Sequence, residues 1–369
     1  MENWLAGAEA GRRHVMSRLQ VYYLTGTGNS LLAARWLAAA ARAAGFGVAV
    51  RSIVPAPSSD GPDAQPGDLL ALCLPTHAFT APWAMIRFAL GLPPSRGTPA
   101  LVLVTRGTLL VGRVLIPGLE GTAAYLIAGI LRVKGYDVRG VHAVDMPSNW
   151  TIVHPAMSVE PTERVVGQAE VEVTAFVQSV LAGRRRLDGQ VRLALGLALA
   201  PVSLLYNILG RFRLAKLNFA TRACNSCGRC ARECPHGAIR MRGRPPRPFW
   251  TYDCQGCMRC RSYCPTEAIE TSYSFGALAS FLTGSSALAF LVGEAARHVP
   301  AARALNRGWL GRLATYAYGL GAMALVYRAF HAAIRVPAVN RFFALTTPTT
   351  RFRRYRAPGV SAADLRGDE

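Results

Sequence analysis

The sequence predicts a doubly wound α/β domain on a parallel sheet of five strands. A small α+β domain organised by cysteines follows, and then a helical, basic C-terminal region. Three observations carry this prediction. Short apolar or β-branched runs alternate with helix-forming stretches up to about residue 181. Eight of the nine cysteines fall into two copies of one spacing between Cys224 and Cys264. Beyond residue 272, long uncharged stretches alternate with arginines. The expected divisions are 1–186, an apolar and basic helical linker at 187–222, the cysteine domain at 223–272, and 273–369. A chain of 369 residues is long enough for two or three domains with a sizeable core.

The expected strands are Gln20–Leu24, Val48–Val54, Leu69–Leu74, Ala100–Val104 and Val138–Val144. Helix-forming stretches intervene, notably Leu31–Ala44, Gly121–Lys134 and Thr162–Leu181. Open parallel sheets bind ligands beyond the carboxyl ends of their strands, at the switch point. The loops placed there are Thr25–Ser30, Pro75–Trp83, Thr105–Thr108 and Asp145–Trp150. The first is Thr25-Gly26-Thr27-Gly28-Asn29-Ser30, between a strand and a helix start. Backbone N–H groups, hydroxyls and the helix dipole make such a loop a phosphate cradle. It is not a Walker A motif, having no Gly-Lys-Ser/Thr, nor the dinucleotide G-x-G-x-x-G, because Leu31 stands at the third glycine. Alone, it also reads as a plain strand-to-helix turn.

The loop resembles the phosphate loop of flavodoxins, Thr/Ser-x-Thr-Gly-Asn-Thr, which binds the phosphate of FMN. Ser30 replaces the last threonine and keeps the hydroxyl. The resemblance implies FMN, with its phosphate on Thr25, Gly26, Thr27, Gly28, Asn29 and Ser30. The ring is then expected near Pro75, Thr76 and His77 and near Thr105, Arg106 and Gly107. His77 and Arg106 are the candidate catalytic residues. A histidine there can donate to the flavin or shuttle protons near neutral pH, although a solvated loop histidine is the plain alternative. The loops 75–83 and 105–113 hold two arginines, Arg106 and Arg113, and no acid. A guanidinium beside the ring favours the anionic hydroquinone, so Arg106 is expected to make that state easier to reach. Phe79 or Trp83 is placed to stack on the ring, though Pro82-Trp83 also reads as a helix start. Asn149 and Trp150 close the site or face the cysteine domain. His142 and His154 have no ligand spacing and read as structural or surface groups. Cys73, inside the third strand, reads as a buried thiol.

Each cysteine run reads C-x-x-C-x-x-C-x-x-x-C-P: Cys224, Cys227, Cys230, Cys234 and Pro235, then Cys254, Cys257, Cys260, Cys264 and Pro265. This is the bacterial spacing for [4Fe–4S] clusters. Tetrahedral zinc needs fewer cysteines and no trailing proline, and nothing in the sequence suits a secreted disulfide scaffold. The repeat runs beyond the cysteines, for CNSCGRCARECPHGAI aligns with CQGCMRCRSYCPTEAI at an offset of 30 residues. Gly228 and Gly256 are expected to let the backbone close around the cubane. Residues 223–272 resemble the two-fold ferredoxin module of bacterial two-cluster proteins. That resemblance implies crossed ligation, with Cys224, Cys227, Cys230 and Cys264 on one [4Fe–4S] cluster and Cys254, Cys257, Cys260 and Cys234 on the other. Residues 18–272 together look like bacterial flavodoxin–ferredoxin fusion proteins, which implies electron transfer between FMN and two clusters.

The formal charge is +21, with 40 arginines and two lysines, Lys134 and Lys216. Residues 182–250 hold 14 basic side chains against two acids, and residues 295–369 hold 12 arginines against three acids. Such faces suit an acidic redox partner or anionic lipid. Nucleic acid ranks last, because no helix-turn-helix, zinc finger or RNA module is visible. Leu193–Gly210 is uncharged for 18 residues and Tyr273–Gly293 for 21, with a shorter stretch at Leu313–Tyr327. Full spanning is disfavoured: the first would separate the flavin from the clusters, and a hairpin of the others would export arginines. Two readings stay open, helices lying in the lipid headgroup region or helices packed on the cysteine domain. Arg12-Arg13 suggests a twin-arginine signal, but the apolar run behind it is the first strand, and reduced thiols suit the cytoplasm, so a cytoplasmic protein is expected, peripheral on the inner membrane face only in the first of those two readings. The leading function is an oxidoreductase coupling two-electron FMN to one-electron clusters, exchanging electrons with a partner protein or a small-molecule donor or acceptor. A pure carrier, an enzyme acting on a lipophilic substrate (quinone, tetrapyrrole or isoprenoid lipid), and clusters as structural staples are the alternatives.

Overall fold

The computed structural model describes residues 18–54, 68–298 and 308–366. Its first domain is a sheet of five principal parallel strands: β1 (Arg18–Tyr23), β2 (Gly47–Ser52), β3 (Leu69–Pro75), β4 (Pro99–Val111) and β6 (Asp137–Pro147). They lie in the order β2-β1-β3-β4-β6, so the chain reverses direction across the sheet between β2 and β3. A short parallel strand, β7 (Arg186–Leu187), extends the edge beyond β6, and β5 (Val114–Ile116) folds back antiparallel on β4. The strands are apolar on both faces because helices cover both. Helix α1 (Asn29–Ala43) and α4 (Val159–Leu181) pack on one face through Leu31, Leu37, Val173 and Phe176. Helices α2 (Trp83–Gly91) and α3 (Ala123–Val133) pack on the other through Met85, Ala89, Ile127 and Leu131.

Two strands run further than the apolar pattern indicates. Strand β4 continues through Thr105, Arg106 and Gly107 to Val111, and β6 continues to Pro147. Thr105–Thr108 is therefore strand rather than loop, in register with Val144–Pro147. The polar side chains that mask this extension bond partly across the two strands, Arg106 and Thr108 to Asp145, and partly to Glu120 and Ser30 of other segments.

The linker forms α5 (Gln190–Ala198), α6 (Ala200–Leu205), a π-helical turn at Tyr206–Gly210 and α7 (Arg211–Ala215). The cysteine domain opens at β8 (Asn218–Ala220), earlier than its first cysteine, because β8 pairs antiparallel with β11 (Ile269–Thr271). Between them lie the short helices α8 (Arg229–Arg232) and α9 (Arg259–Ser262) and the hairpin of β9 (Ile239–Arg242) with β10 (Arg247–Trp250).

Helices α10 (Tyr273–Thr283), α11 (Ser285–His298), α12 (Gly308–Ala333) and α13 (Pro337–Leu345) follow. One face of α10 and α12 packs on the cysteine domain, where Phe275, Met323, Tyr327, Phe330 and Ile334 surround Phe219 and Phe249. Phe275 and Phe330 stack with centroids 3.8 Å apart. Their other faces carry exposed Leu278, Phe281, Leu282, Leu313 and Leu325. The packing reading therefore holds for one face of each helix, and the opposite face is apolar and exposed. Among the described residues no single helix is long and apolar enough to cross a membrane; Gln190–Ala198 and Ala200–Ala215 reach that length only as a pair bent by 65°. The last segment is not helical throughout. It returns to the first domain, where Tyr355, Ala357, Val360, Ala362 and Leu365 join the core beneath α1 and α4.

Candidate electron-transfer site

The two cysteine runs are related by a local two-fold repeat. Left-handed backbone occurs at matched positions: Ser226 (φ 62) with Gly256 (φ 66), Gly228 (φ 72) with Met258 (φ 63), and Gly237 (φ 58) with Glu267 (φ 51). Only one residue of each pair is glycine. The loop geometry, not residue preference, imposes the conformation, at a cost that the site as a whole must offset. Ala238 N donates to Cys234 Sγ at 3.3 Å and Ala268 N to Cys264 Sγ at 3.4 Å, the same bond in each copy. Cys234 lines one small cavity with Cys254, Cys257 and Cys260. Cys230 shares its electrostatic surroundings with Cys224, Cys227 and Cys264. Each run thus sends its fourth cysteine to the other group, around a shared apolar centre of Ile239, Trp250 and Ile269. Thiolates in two groups of four, each with N–H groups on sulfur, fit cubane clusters.

The phosphate loop lies directly against the second run. Strand β1 ends at Tyr23, and Gly28, with φ 112, turns the chain into α1. All six residues Thr25–Ser30 are buried. Thr25 Oγ1 accepts from Gly28 N at 3.0 Å, Ser30 Oγ pairs with Thr105 Oγ1 at 2.9 Å, and Asn149 Nδ2 donates to Thr27 Oγ1 at 2.9 Å. Asn149 therefore closes the site, and Trp150 beside it is exposed. The amides of Gly26, Thr27, Asn29, Ser30 and Leu31 have no hydrogen-bond partner among the described residues. Buried, orphaned N–H groups around a helix N-terminus fit a phosphate. The ring-side residues are more open, with Thr76, His77 and Phe79 half-buried and Gly107 exposed.

The loop carbonyls are taken by residues that no local pattern marks. Arg259, between Met258 and Cys260, donates to Thr25 O at 2.8 Å, Gly26 O at 3.2 Å and Leu365 O at 3.3 Å. Ala357 N donates to Thr27 O at 2.9 Å, and Tyr355 OH donates to Asn29 Oδ1 at 2.6 Å. A Cβ on Gly26 would come within 1.9 Å of the Cys257 carbonyl oxygen. Glycine is required there because the cluster loop and the phosphate loop are in backbone contact.

Arg106 differs from the expectation of a free cation beside the ring. Its guanidinium pairs with Glu120 at 2.9 Å and Asp145 at 2.8 Å. Both acids lie outside the loops 75–83 and 105–113, and only the tertiary fold brings them in. Burial opposes the charge on Arg106, but its bonds to Asp145 and Glu120 outweigh burial and raise its pKa. Burial would likewise raise Asp145, yet Arg106, Gly118 N and Thr108 hold it below its usual range. The surroundings of Arg106 are therefore not acid-free.

His77 exchanges backbone hydrogen bonds with Thr80 and meets Tyr206 edge-on at 6.4 Å. Burial pushes its pKa down to about 4, so the imidazole is neutral at physiological pH rather than poised near 7. Phe79 is fixed by its carbonyl, which accepts from Thr122 N at 2.9 Å, and Trp83 opens α2 at the linker beneath Arg211. His142 stacks on Phe176, and His154 bonds Ser148, both structural positions; Cys73 is buried with its pKa pushed up by desolvation. Lys216 escaped sequence reading. Its ammonium is buried on Trp250 O at 2.5 Å and over the Tyr252 ring, and burial lowers its pKa to about 8.

Residues 216–271 match the family model of a 4Fe-4S dicluster domain. No curated protein matches the chain. Among solved structures, a Streptococcus pneumonia TIGR4 flavodoxin is similar at 18% identity and TM-score 0.30, over 43% of this chain and 99% of that one. A flavodoxin from the domain Archaea gives 16% and 0.29, over 44% and 98%. A short-chain flavodoxin associated with a non-canonical PDU bacterial microcompartment gives 17% and 0.29, over 44% and 99%. The strand order and the dicluster match together define the class: a flavodoxin-like domain joined to a two-[4Fe–4S] ferredoxin-type domain, an arrangement suited to electron transfer.

Proposed function

We propose that the chain is an electron-transfer oxidoreductase in which an FMN on Thr25–Ser30 is coupled to two clusters with crossed ligation. The carrying observation is the contact between the two loops: Arg259 of the second run holds the carbonyls of Thr25 and Gly26. FMN takes one or two electrons while each cluster passes one, so together they join two-electron to one-electron chemistry. In this reading Cys224, Cys227, Cys230 and Cys264 hold one cluster, and Cys254, Cys257, Cys260 and Cys234 the other. Gly26, Thr27, Asn29, Ser30 and Leu31 supply amides to the phosphate. Arg259 and Tyr263 fix the loop, and the 355–365 segment excludes water from it. Cys227 is exposed, so the first run is the side from which a partner exchanges electrons. Protein purified anaerobically should carry about eight iron and eight sulfide with one FMN per chain. Protein with full iron that takes up no FMN would remove the flavin from this reading and leave a ferredoxin on an empty scaffold.

A lipophilic substrate is a second reading, favoured by the exposed apolar side chains Leu195, Leu197, Leu204 and Leu205 of the linker and Phe281 and Leu282 of α10. The two groups adjoin, since Tyr316 OH donates to Ile208 O and Arg213 reaches Thr283 O. Apolar faces beside arginines suit an anionic bilayer surface. Flotation with phosphatidylglycerol vesicles at low salt, reversed by high salt, is the expected result; no flotation at low salt would remove the membrane from the account.

A further inference from the structure

We propose that the cleft between α2, α7 and the ferredoxin domain binds a small planar molecule carrying an acidic group, beside the second cysteine run. The cleft encloses about 720 Å³ and is lined by Trp83, Arg87, Arg211, Phe212, Tyr252 and residues flanking Cys234 and Cys254. That volume is typical of small-molecule sites, which pair apolar walls with a few polar groups. No residue of Thr25–Ser30, Pro75–His77 or Thr105–Gly107 lines it, so it is distinct from the flavin site proposed above.

The lining chemistry selects the ligand. The Arg211 guanidinium lies 5.2 Å from the Trp83 ring and 4.3 Å from the Phe212 ring, anchored by Nε on Asn207 O at 2.7 Å. Neither Arg211 nor Arg87 makes an ion pair among the described residues. Asp253 is the one carboxylate in the described lining, and it accepts from Thr251 Oγ1 at 2.9 Å. Burial disfavours the cation on Arg211 most, and the neighbouring Arg87 charge adds to it, against Tyr206 and Tyr316, which favour it. An oxyanion between the two guanidinium groups relieves that repulsion with charge-assisted bonds. Trp83, Phe212 and Tyr252 give the cleft aromatic walls, with Arg211 over the first two rings and Lys216 over the third; such walls suit a planar π-system and add nothing for a bare anion. Pro235, His236 and Gln255 bring the cleft to the cluster loop, so a redox-active occupant would sit beside the second cluster.

Anthraquinone-2,6-disulfonate is a suitable probe, being planar and anionic. Calorimetry on the full-length protein, with clusters and flavin in place, should show one site. Arg87→Gln and Arg211→Gln should each weaken it by about tenfold, and Trp83→Leu should weaken it without changing charge, with iron and FMN content unaltered throughout. Unchanged affinity in the double arginine variant at full iron content overturns the proposal. Equal competition by sulfate at matched ionic strength also overturns it, because the rings would then read nothing. Loss of FMN in Arg87→Gln would identify the cleft as the flavin site itself and overturn the assignment of a separate one. Failure of FMN loading with intact probe binding would strike the flavin proposal alone.

Discussion

The two cysteine runs share a sequence pattern and a loop geometry and differ in what their arginines meet. Arg229 and Arg259 occupy the same place in the repeat, just before the third cysteine. The Arg229 side chain is 38% exposed and, among the described residues, pairs with Glu233, four residues on. Arg259 is 4% exposed and holds the phosphate loop and the chain end. Arg261 is likewise buried, bonding Glu270 and Thr349 O, while its counterpart Ala231 carries no polar group. The first run is a ferredoxin surface and the second is a domain interface. Duplication supplies two equal cluster loops, and docking makes one of them internal.

The largest test of this contrast concerns the crossed cysteines. Cys234→Ser should remove the second-run cluster and about four irons, leaving the first-run cluster visible by Mössbauer and EPR spectroscopy; Cys264→Ser should do the reverse. Loss of the first-run cluster from Cys234→Ser would mean that each run is self-contained.

Buried arginines can then be ranked. Arg106→Ala leaves the buried Glu120 with the more distant Arg192, at 4.0 Å, as its cation among the described residues, and should cost about 3 kcal/mol in denaturant unfolding of the folded protein. A loss below about 1 kcal/mol would show that the pair is hydrated. Arg259→Gln removes charge-assisted bonds to three carbonyls and should cost about 2–3 kcal/mol, with weaker FMN binding. Arg229→Gln should change stability by less than about 0.5 kcal/mol. Equal effects at 229 and 259 would erase the difference between the two runs.

Around neutral pH the smallest effect is expected at His77. Its folded pKa, about 4, lies below its unfolded value, so the neutral imidazole is the form that folding favours. Its contribution is fully present above about pH 6.5 and is lost as pH falls from there toward 4. An NMR titration of the His77 ring should therefore be flat between about pH 6 and 8; a midpoint near 6.5 would restore the proton shuttle.

Much of this was readable from sequence because it is local. The cysteine spacing, the strand-loop-helix at Thr25–Ser30 and the apolar strands each lie within a few turns of chain, where periodicity and ligand geometry act directly. Helices α10 and α12 were readable as apolar but not as two-faced, since composition does not say which side meets Phe219. The extension of β4 through Arg106 was hidden because polar residues interrupt the apolar run, and their partners Glu120 and Asp145 come from other segments.

By itself the sequence indicated a flavodoxin-like sheet, a strand-loop-helix suited to a phosphate and two cysteine runs with [4Fe–4S] spacing. Tertiary structure alone decided that Arg259 lies on a carbonyl 234 residues away, that residues 355–365 seal the phosphate loop, and that the Arg106 charge is balanced. The reason is physical. Backbone periodicity and metal-ligand spacing are properties of neighbouring residues, whereas burial of a charge depends on which surfaces meet, and a guanidinium is the same residue in the sequence whether it faces water or a second domain.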